Sequence, residues 1–160
     1  MVEVQVLRSD DWPIWRRLRR EALAEAPAAF GSTLAEWSGP GDTEARWRAR
    51  LTDVPFNVVV RWHGIEAGMV SAYKEEAGTV ELISMWVAPH ARGRGVADAA
   101  VSAVLQWADG RVVGLSVKSD NQAAIRLYER HGFTDAGRSP DDASERRMLR
   151  SRSSQISETP

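Results

Sequence analysis

The sequence predicts a single α+β domain, and two features of its apolar pattern support that prediction. Segments with an apolar residue at every second position are typical of strands, and they alternate with segments whose apolar residues recur every three to four positions, as in amphipathic helices. In the middle of the chain, three strand-like segments follow one another with only short turns between them, which indicates antiparallel hairpins. The length of 160 residues suits one domain with a sizeable core, which we expect over residues 1–150.

The predicted elements follow the order strand, two helices, three strands, helix, strand, helix and two strands. Asp10 and Thr43 are the predicted N-caps of the first two helices, and Pro27 ends the first of them. In chain order we expect strand 2–7, helix 11–26, an irregular segment 28–41 with one helical turn, helix 44–51, strands 57–62, 65–74 and 79–87, helix 97–108, strand 112–117, helix 121–131, and strands 133–138 and 146–149. The polar residues 151–160 are expected to be a disordered tail.

Composition excludes several classes of function. The net charge of −1 gives no general attraction to nucleic acid or to an anionic membrane, so neither is an expected partner. The chain has no cysteine, which excludes disulfides and thiolate chemistry and fits a reducing compartment. The N-terminus lacks the apolar core of a signal peptide and no run is long enough to span a bilayer, so we expect a cytoplasmic protein. Three scattered histidines predict no metal site.

The segment 87–97, Val-Ala-Pro-His-Ala-Arg-Gly-Arg-Gly-Val-Ala, lies between a predicted strand and a long predicted helix. Two glycines at the start of a helix allow backbone N–H groups to point at an anion, and the helix dipole adds a favourable field. Arg92 and Arg94 add charged donors. The Gly-Lys-Ser/Thr of a Walker loop and the third glycine of a dinucleotide fingerprint are both missing. The pattern favours a phosphate-bearing ligand, with a plain strand-to-helix turn as the alternative.

Two segments resemble the signatures of the GNAT superfamily of N-acetyltransferases. Arg92-x-x-Gly95-x-Ala97 resembles the loop with which that family binds the pyrophosphate of CoA. Segment 121–133, Asn-Gln-Ala-Ala-Ile-Arg-Leu-Tyr-Glu-Arg-His-Gly-Phe, resembles the family's second signature, Asn-x-x-Ala-x-x-Leu-Tyr-x-x-x-Gly-Phe. Both occur in the family's order with one strand between them. The resemblance implies a mixed, mostly antiparallel central sheet of six to seven strands with about four helices, splayed at two parallel strands.

The resemblance also implies acetyl-CoA as co-substrate, without a metal. The residues that it assigns to acetyl-CoA binding are Trp86, Val87, Arg92, Gly93, Arg94, Gly95, Val96, Ala97, Asn121, Ala124 and Tyr128. Tyr128 is further expected to be the general acid that protonates the leaving thiolate, and Glu81 on the central strand is expected to be the general base. The alternative for Tyr128 is a packed helix aromatic. The alternative for Glu81 is a solvated strand carboxylate, with a water chain as the base.

These expectations together predict an N-acetyltransferase that moves an acetyl group from acetyl-CoA to a primary amine by direct attack, with no acyl-enzyme. Phe30 and Trp37 lie in the irregular segment that borders the acceptor in the family, so we expect both to contact the acceptor. A small-molecule amine is the expected acceptor. Protein lysine or N-terminal acetylation and a non-catalytic acyl-CoA-binding module are the alternatives, and a homodimer is compatible with the resemblance.

Overall fold

The computed structural model describes residues 1–151 and has the predicted order of elements in that range. The helices and strands are β1 (Val2–Val6), α1 (Trp12–Glu25), α2 (Glu44–Asp53), β2 (Phe56–Trp62), β3 (Ile65–Lys74), β4 (Val80–Val87), α3 (Val96–Ala108), β5 (Val113–Lys118), α4 (Gln122–Arg130), β6 (Thr134–Arg138) and β7 (Glu145–Arg150). The tail predicted for 151–160 lies, apart from Ser151, outside the described residues.

All seven strands form one sheet in the order β1-β2-β3-β4-β5-β7-β6. Neighbouring strands are antiparallel except β4 and β5, which run parallel. This parallel pairing extends over two residue pairs, Val80 with Val113 and Glu81 with Gly114, and the two strands then diverge toward their C-terminal ends. The prediction of a mostly antiparallel sheet splayed at two parallel strands is therefore confirmed.

The sheet is covered on both faces, so its two apolar surfaces form separate cores. One core contains the inward stripe of α3, together with side chains of β2, β3 and β5. That stripe repeats every three to four residues, as expected for one buried helix face, and its members are Val96, Ala100, Val101, Val104 and Ala108. The other core joins Trp15 and Leu18 of α1 to Trp47 of α2 and to Met69 and Trp86 of the sheet. This second core supports the diverging end of β4.

The segment that joins α1 to α2 contains three short 3-10 turns, Pro27–Ala29, Ala35–Trp37 and Gly39–Gly41, where one turn was predicted. Asp42 fixes the end of this segment: its carboxylate accepts two hydrogen bonds from Arg16, at 2.6 and 2.7 Å, and one from the Trp47 indole at 2.7 Å. One carboxylate thus ties the segment to both helices.

The prediction for the first strand is partly wrong. Its alternating valines indicated a half-buried strand, but Val4 and Val6 are 46% and 56% exposed. Their partners on β2, Val60 and Val58, are fully buried. The difference arises because β1 is the edge of the sheet, where a side chain has a neighbouring strand on one side only. Within residues 1–151, no helix combines the length and the apolar composition needed to cross a membrane.

Candidate active site

A bulge in β4 turns its main chain toward the gap between β4 and β5. Ser71 of β3 is paired with Ile83, and Met69 is paired with Trp86, so Ser84 and Met85 together face the single residue between Ser71 and Met69. Ser84 has φ = 58°, a left-handed conformation that costs a non-glycine residue about 1–3 kcal/mol and that is enriched at functional sites. The strand pattern of the sequence gave no sign of this bulge.

A cavity of about 780 Å³ occupies the gap that the diverging strands leave. Its walls come from β4, β5, the loop before α3, the face of α4 and the C-terminal end of α1. The wall includes Glu25, Phe30, Ser84, Met85, Trp86, Val87, Arg92, Gly93, Gly95, Ala97, Ser116, Lys118, Asn121, Ala124 and Tyr128. We refer to this space as the main cavity.

The loop before α3 has the geometry of an anion site. Gly93 and Gly95 have φ values of 76° and 83°, and a side chain at either position would meet no atom within 4 Å. The backbone conformation, rather than lack of space, therefore requires glycine here. The N–H groups from Gly93 to Ala97 donate no backbone hydrogen bond among the described residues, and they lie at the positive end of the α3 dipole. This donor set fits a pyrophosphate.

Two residues of the predicted loop do not line the main cavity with their side chains. The guanidinium of Arg94 lies over the Trp62 ring, 5.4 Å from its centroid. Val96 is buried, and a Cβ at Gly68 of β3 would lie 2.7 Å from its side chain, so the start of α3 packs closely against the sheet. For both residues, the predicted contact with acetyl-CoA rests on the main chain.

Glu25, at the C-terminal end of α1, connects the loop to β4. Its carboxylate accepts hydrogen bonds from Arg92 at 2.9 and 3.0 Å and from the Trp86 indole at 2.9 Å. These hydrogen bonds lower the pKa of Glu25, and the bond from Trp86 has the largest effect. The Arg92 side chain also donates to the carbonyl of Val87 at 3.2 Å. Sequence reasoning missed Glu25, because it is 61 positions before Trp86 along the chain.

The second signature forms α4 and its N-cap. The Asn121 side chain accepts a hydrogen bond from the backbone N–H of Ala124 at 3.1 Å, which caps the helix, and both residues line the main cavity. Tyr128 lies one turn after Ala124 on the same face of α4, is 5% exposed, and packs edge-on against Phe133 with the ring centroids 5.7 Å apart. Burial raises the pKa of Tyr128, so its hydroxyl keeps its proton at neutral pH.

A sequence model of the acetyltransferase (GNAT) family matches residues 12–133, which is most of the chain. The chain belongs to this family. The fold and the cavity between β4 and β5 are those expected for a GNAT acetyltransferase, and the predicted resemblance is confirmed. Among functionally curated proteins, no sequence matches this chain significantly.

Solved structures with the same fold include several acetyltransferases of low sequence identity. The putative acetyltransferase yncA from Salmonella typhimurium, solved with its cofactor acetyl-CoA, is 21% identical with a TM-score of 0.73, and the match covers 93% of this chain and 92% of that one. The PaiA N-acetyltransferase from Thermoplasma acidophilum, in complex with coenzyme A, is 13% identical with a TM-score of 0.73 over 94% and 99%. A GCN5-related N-acetyltransferase from Kribbella flavida is 22% identical with a TM-score of 0.73 over 94% and 97%.

Glu81, the predicted general base of this GNAT protein, lies where β4 still pairs with β5. Both oxygens of its carboxylate accept hydrogen bonds from Arg147 of β7, one of them at 2.9 Å, and this bonding raises the pKa of Arg147. A Cβ at Gly114 would lie 2.5 Å from Arg147 and 3.1 Å from Glu81, so glycine leaves room for the pair. Arg147 also donates to the Ser116 hydroxyl at 3.2 Å. Glu81 does not line the main cavity, whereas Ser116 does.

A second cavity, of about 830 Å³, lies between the segment after α1 and the β6–β7 loop. It shares Phe30 and Lys118 with the main cavity. Trp37, the other predicted acceptor residue, lines neither cavity: it stacks on Trp47, with the ring centroids 4.3 Å apart, and under the guanidinium of Arg46. Of the two residues predicted to contact the acceptor, Phe30 lines both cavities, whereas Trp37 packs against Trp47 of α2.

In residues 1–151, no group of three or more His, Cys, Asp and Glu side chains has an arrangement that could hold a metal ion.

Proposed function

We propose that this protein transfers the acetyl group of acetyl-CoA to a primary amine of a small molecule, by direct attack and without an acyl-enzyme. The observation that carries this proposal is that the two cavities are adjacent. The main cavity extends from the anion site before α3 to Tyr128, and Phe30 and Lys118 line both this cavity and the second one. A donor bound by its pyrophosphate and an amine that enters from the second cavity would meet in the gap between β4 and β5.

The residues present fit acetyl-CoA, which supplies an acetyl group activated as a thioester. The free N–H groups from Gly93 to Ala97 would hold the pyrophosphate. The main chain of Ser84 and Met85, where the bulge interrupts the ladder with β3, offers backbone groups to the acyl arm beside the predicted Trp86 and Val87. Asn121 and Ala124 would line the same arm from α4.

The reaction forms a C–N bond and breaks the C–S bond, and two protons must move. An alkylammonium with a pKa of about 10.4 costs roughly 4.6 kcal/mol to deprotonate at pH 7. Orientation of the amine against the thioester and a proton acceptor together offset that cost. We keep Glu81 as the proton acceptor and propose that the proton reaches it through water. Arg147 donates hydrogen bonds both to Glu81 and to Ser116, and Ser116 lines the main cavity. Tyr128 keeps its proton and would donate it to the leaving thiolate; solvent then restores the hydroxyl.

The first test is the thermal stability of the protein with acetyl-CoA, CoA, ATP and NAD in parallel. A ligand that binds only the native state raises its stability by about 2.7 kcal/mol at a hundredfold excess over Kd. We expect a clear rise in Tm with acetyl-CoA and CoA and none with NAD. No rise with acetyl-CoA would contradict the anion site, and with it the proposed function.

The second test is release of free thiol from acetyl-CoA in the presence of amines. We expect turnover with small amines, because the second cavity is of a size that suits a small molecule. Turnover with lysine-containing or N-terminal peptides alone would point to a protein acceptor. A rise in Tm without turnover of any amine would indicate an acyl-CoA-binding module.

A further inference from the structure

Two arginines on the inner sides of α1 and α2 form no ion pair with any acidic side chain of residues 1–151. Arg19 of α1 is 7% exposed, and Arg50 of α2 is partly buried. Burial lowers the pKa of both side chains to about 10, so both stay charged at neutral pH, and the pKa of Arg50 is further lowered by the charge of Arg19. The guanidinium of Arg50 lies over the Trp15 ring, 5.0 Å from its centroid, and Arg19 follows Trp15 by one turn on the same face of α1, so both arginines lie beside Trp15.

The side chains that contact the two guanidinium groups are neutral, although the charge of Asp53 partly offsets the lowering of the Arg50 pKa. Arg50 donates to the side-chain oxygens of Asn57 at 2.8 Å, Ser71 at 3.2 Å and Ser84 at 3.2 Å. Nη1 of Arg19 is buried and has no hydrogen-bond partner among residues 1–151, and the ring of Phe30 covers the guanidinium, 4.5 Å from its centroid. A buried charge and a buried unpaired donor both destabilise the folded state, so this arrangement needs a compensating role.

Other arginines of the chain show that an acidic partner is the usual solution here. Arg16 pairs with Asp42, Arg92 with Glu25 and Arg147 with Glu81. Arg19 and Arg50 are more buried than these, so an acidic partner would matter more for them. A pair of buried guanidinium groups with unused donors is suited to a planar anion, because each presents its N–H groups in a fixed fork.

The location of the pair connects it to the acceptor. Phe30, which covers Arg19, lines both cavities, and Ser84, which accepts from Arg50, lines the main cavity at the bulge of β4. An anion that displaced the Phe30 ring would therefore lie against Arg19 and beside the residues that line both cavities.

We propose that Arg19 and Arg50 bind the carboxylate of the acceptor, so that the substrates are amines that also carry a carboxylate, as α-amino acids do. This inference rests on the proposed acetyltransferase function. The carboxylate takes the place of the Phe30 ring over Arg19 and supplies the negative charge that the pair lacks. The amine of the same molecule then extends toward Ser84 and the main cavity.

The test compares amino acids with their own amides as acceptors, for example phenylalanine with phenylalaninamide and methionine with methioninamide. We expect kcat/KM to be at least tenfold higher for the acids. The amine of the amide has the lower pKa and is more often neutral, so nucleophile availability favours the amide and cannot produce this preference. Equal rates, or faster reaction of the amides, would overturn the inference and leave the proposed function intact. Turnover of no amine at all, despite a rise in Tm with acetyl-CoA, would instead defeat both.

The variant Arg19→Met tests the site itself, with Arg46→Met as the matched control. Arg46 also stacks on an aromatic ring, that of Trp37 at 3.9 Å, but Trp37, unlike Phe30, lines neither cavity. We expect R19M to lower the acid-to-amide ratio of kcat/KM toward one, and R46M to leave the ratio of the wild type. Removal of an uncompensated buried charge is also expected to raise Tm, so the variant remains folded. An unchanged ratio in folded R19M would contradict the assignment.

A measurement on the wild type is independent of any variant. N-acetylphenylalanine, the expected product, should raise Tm at millimolar concentration, and N-acetylphenylalaninamide should raise it less. An equal effect of the two would contradict a carboxylate site.

Discussion

The two sides of the site are built in different ways. The donor side, formed by β4, the loop before α3, and α4, uses main-chain groups that glycine conformations and helix ends expose, as at Gly95 and Asn121. The proposed acceptor side, formed by α1, the segment after it, and α2, is held by side chains that are distant in the sequence. Arg16 and Asp42 are 26 positions apart, and Arg50 and Ser84 are 34 apart.

This difference explains why one side could be predicted from the sequence. A main-chain site needs particular residues at fixed spacing within one segment, so it leaves a local signature. A side-chain site needs only that residues distant in the sequence come into contact in the fold, and a local sequence pattern does not predict such contacts. The predictions below test whether the two sides are also separate in function, in order from the largest expected effect to the smallest.

Tyr128→Phe tests the donor side. We expect kcat to fall about 100-fold with little change in the KM for acetyl-CoA, because the variant keeps the ring packing on Phe133 and removes only the hydroxyl that we propose as proton donor. Steady-state kinetics with saturating acceptor measures the change.

Tyr73→Phe is the matched control, since the chain has only these two tyrosines and Tyr73 does not line the main cavity. If the Y128F variant had the kcat of the wild type, Tyr128 would have only a packing role. The donor side would then bind acetyl-CoA without supplying a proton.

Gly95→Ala tests whether the backbone conformation of the loop carries the affinity for acetyl-CoA. A φ of 83° costs alanine about 1–2 kcal/mol, and relief of that strain would turn the N–H groups away from the pyrophosphate. We expect the Kd of acetyl-CoA, measured by calorimetry, to rise about tenfold, which corresponds to about 1.4 kcal/mol.

Gly64→Ala separates strain from binding. Gly64 lies in the β2–β3 turn with φ = 78° and, like Gly95, has no atom within 4 Å of an added side chain. Both variants should lose similar stability, but only G95A should lose affinity for acetyl-CoA. An equal loss of affinity in both variants would mean that global stability, not the loop, controls binding.

The difference between local patterns and contacts of distant residues also explains which other features could be predicted from the sequence. The order of elements and the splayed parallel pair were predictable, because apolar periodicity and the two signatures are local. The bulge at Ser84 was not, since nothing in a strand pattern marks a left-handed serine. Val4 and Val6 were misassigned because alternation shows which residues share a face but not whether that face is covered at a sheet edge.

The predicted site residues follow the same rule. Gly93, Gly95, Asn121 and Tyr128 line the main cavity, as expected from segments with a fixed spacing. For Glu81, the sequence indicated a carboxylate on the central strand but gave no sign of Arg147, which is 66 positions away and occupies both of its oxygens. The burial of Arg19 and Arg50 could not be predicted, because their sequence positions do not differ from those of the exposed arginines in the same helices.

Glu81 and Arg147 allow a sharper test, because the proposed proton acceptor of the donor side is held by a side chain of β7, outside both sides. In a double-mutant cycle with Glu81→Gln and Arg147→Met, we expect a coupling of about 1 kcal/mol in the free energy of unfolding, since each partner loses its main contact. If Glu81 is the proton acceptor, E81Q should also lower kcat by more than R147M does.

Glu66→Gln is the control for that cycle. Glu66 also pairs with arginines, Arg17 at 3.0 Å and Arg61 at 3.5 Å, but it does not line the main cavity. The same loss of kcat in E81Q and R147M, with E66Q unaffected, would assign Glu81 to holding Arg147 in place, and proton transfer would then fall to water alone.

The smallest expected effect concerns Asp42, which ties the segment after α1 to both helices of the acceptor side. Hydrogen bonds, first from Arg16 and then from Trp47, hold the pKa of Asp42 well below its usual range. A carboxyl whose pKa is lowered by folding stabilises the protein above its unfolded pKa, and that contribution is lost as the pH falls through the folded value. Asp42→Asn should therefore lower Tm modestly at pH 7, and the difference from the wild type should shrink as the solution is made strongly acidic.

Asp10→Asn removes a more exposed carboxylate, paired with Arg48, and should change Tm less. If D42N also raised the KM for the acceptor but not for acetyl-CoA, the two sides of the site would be separable in function as they are in construction, whereas an equal rise in both KM values would show that they move as one unit.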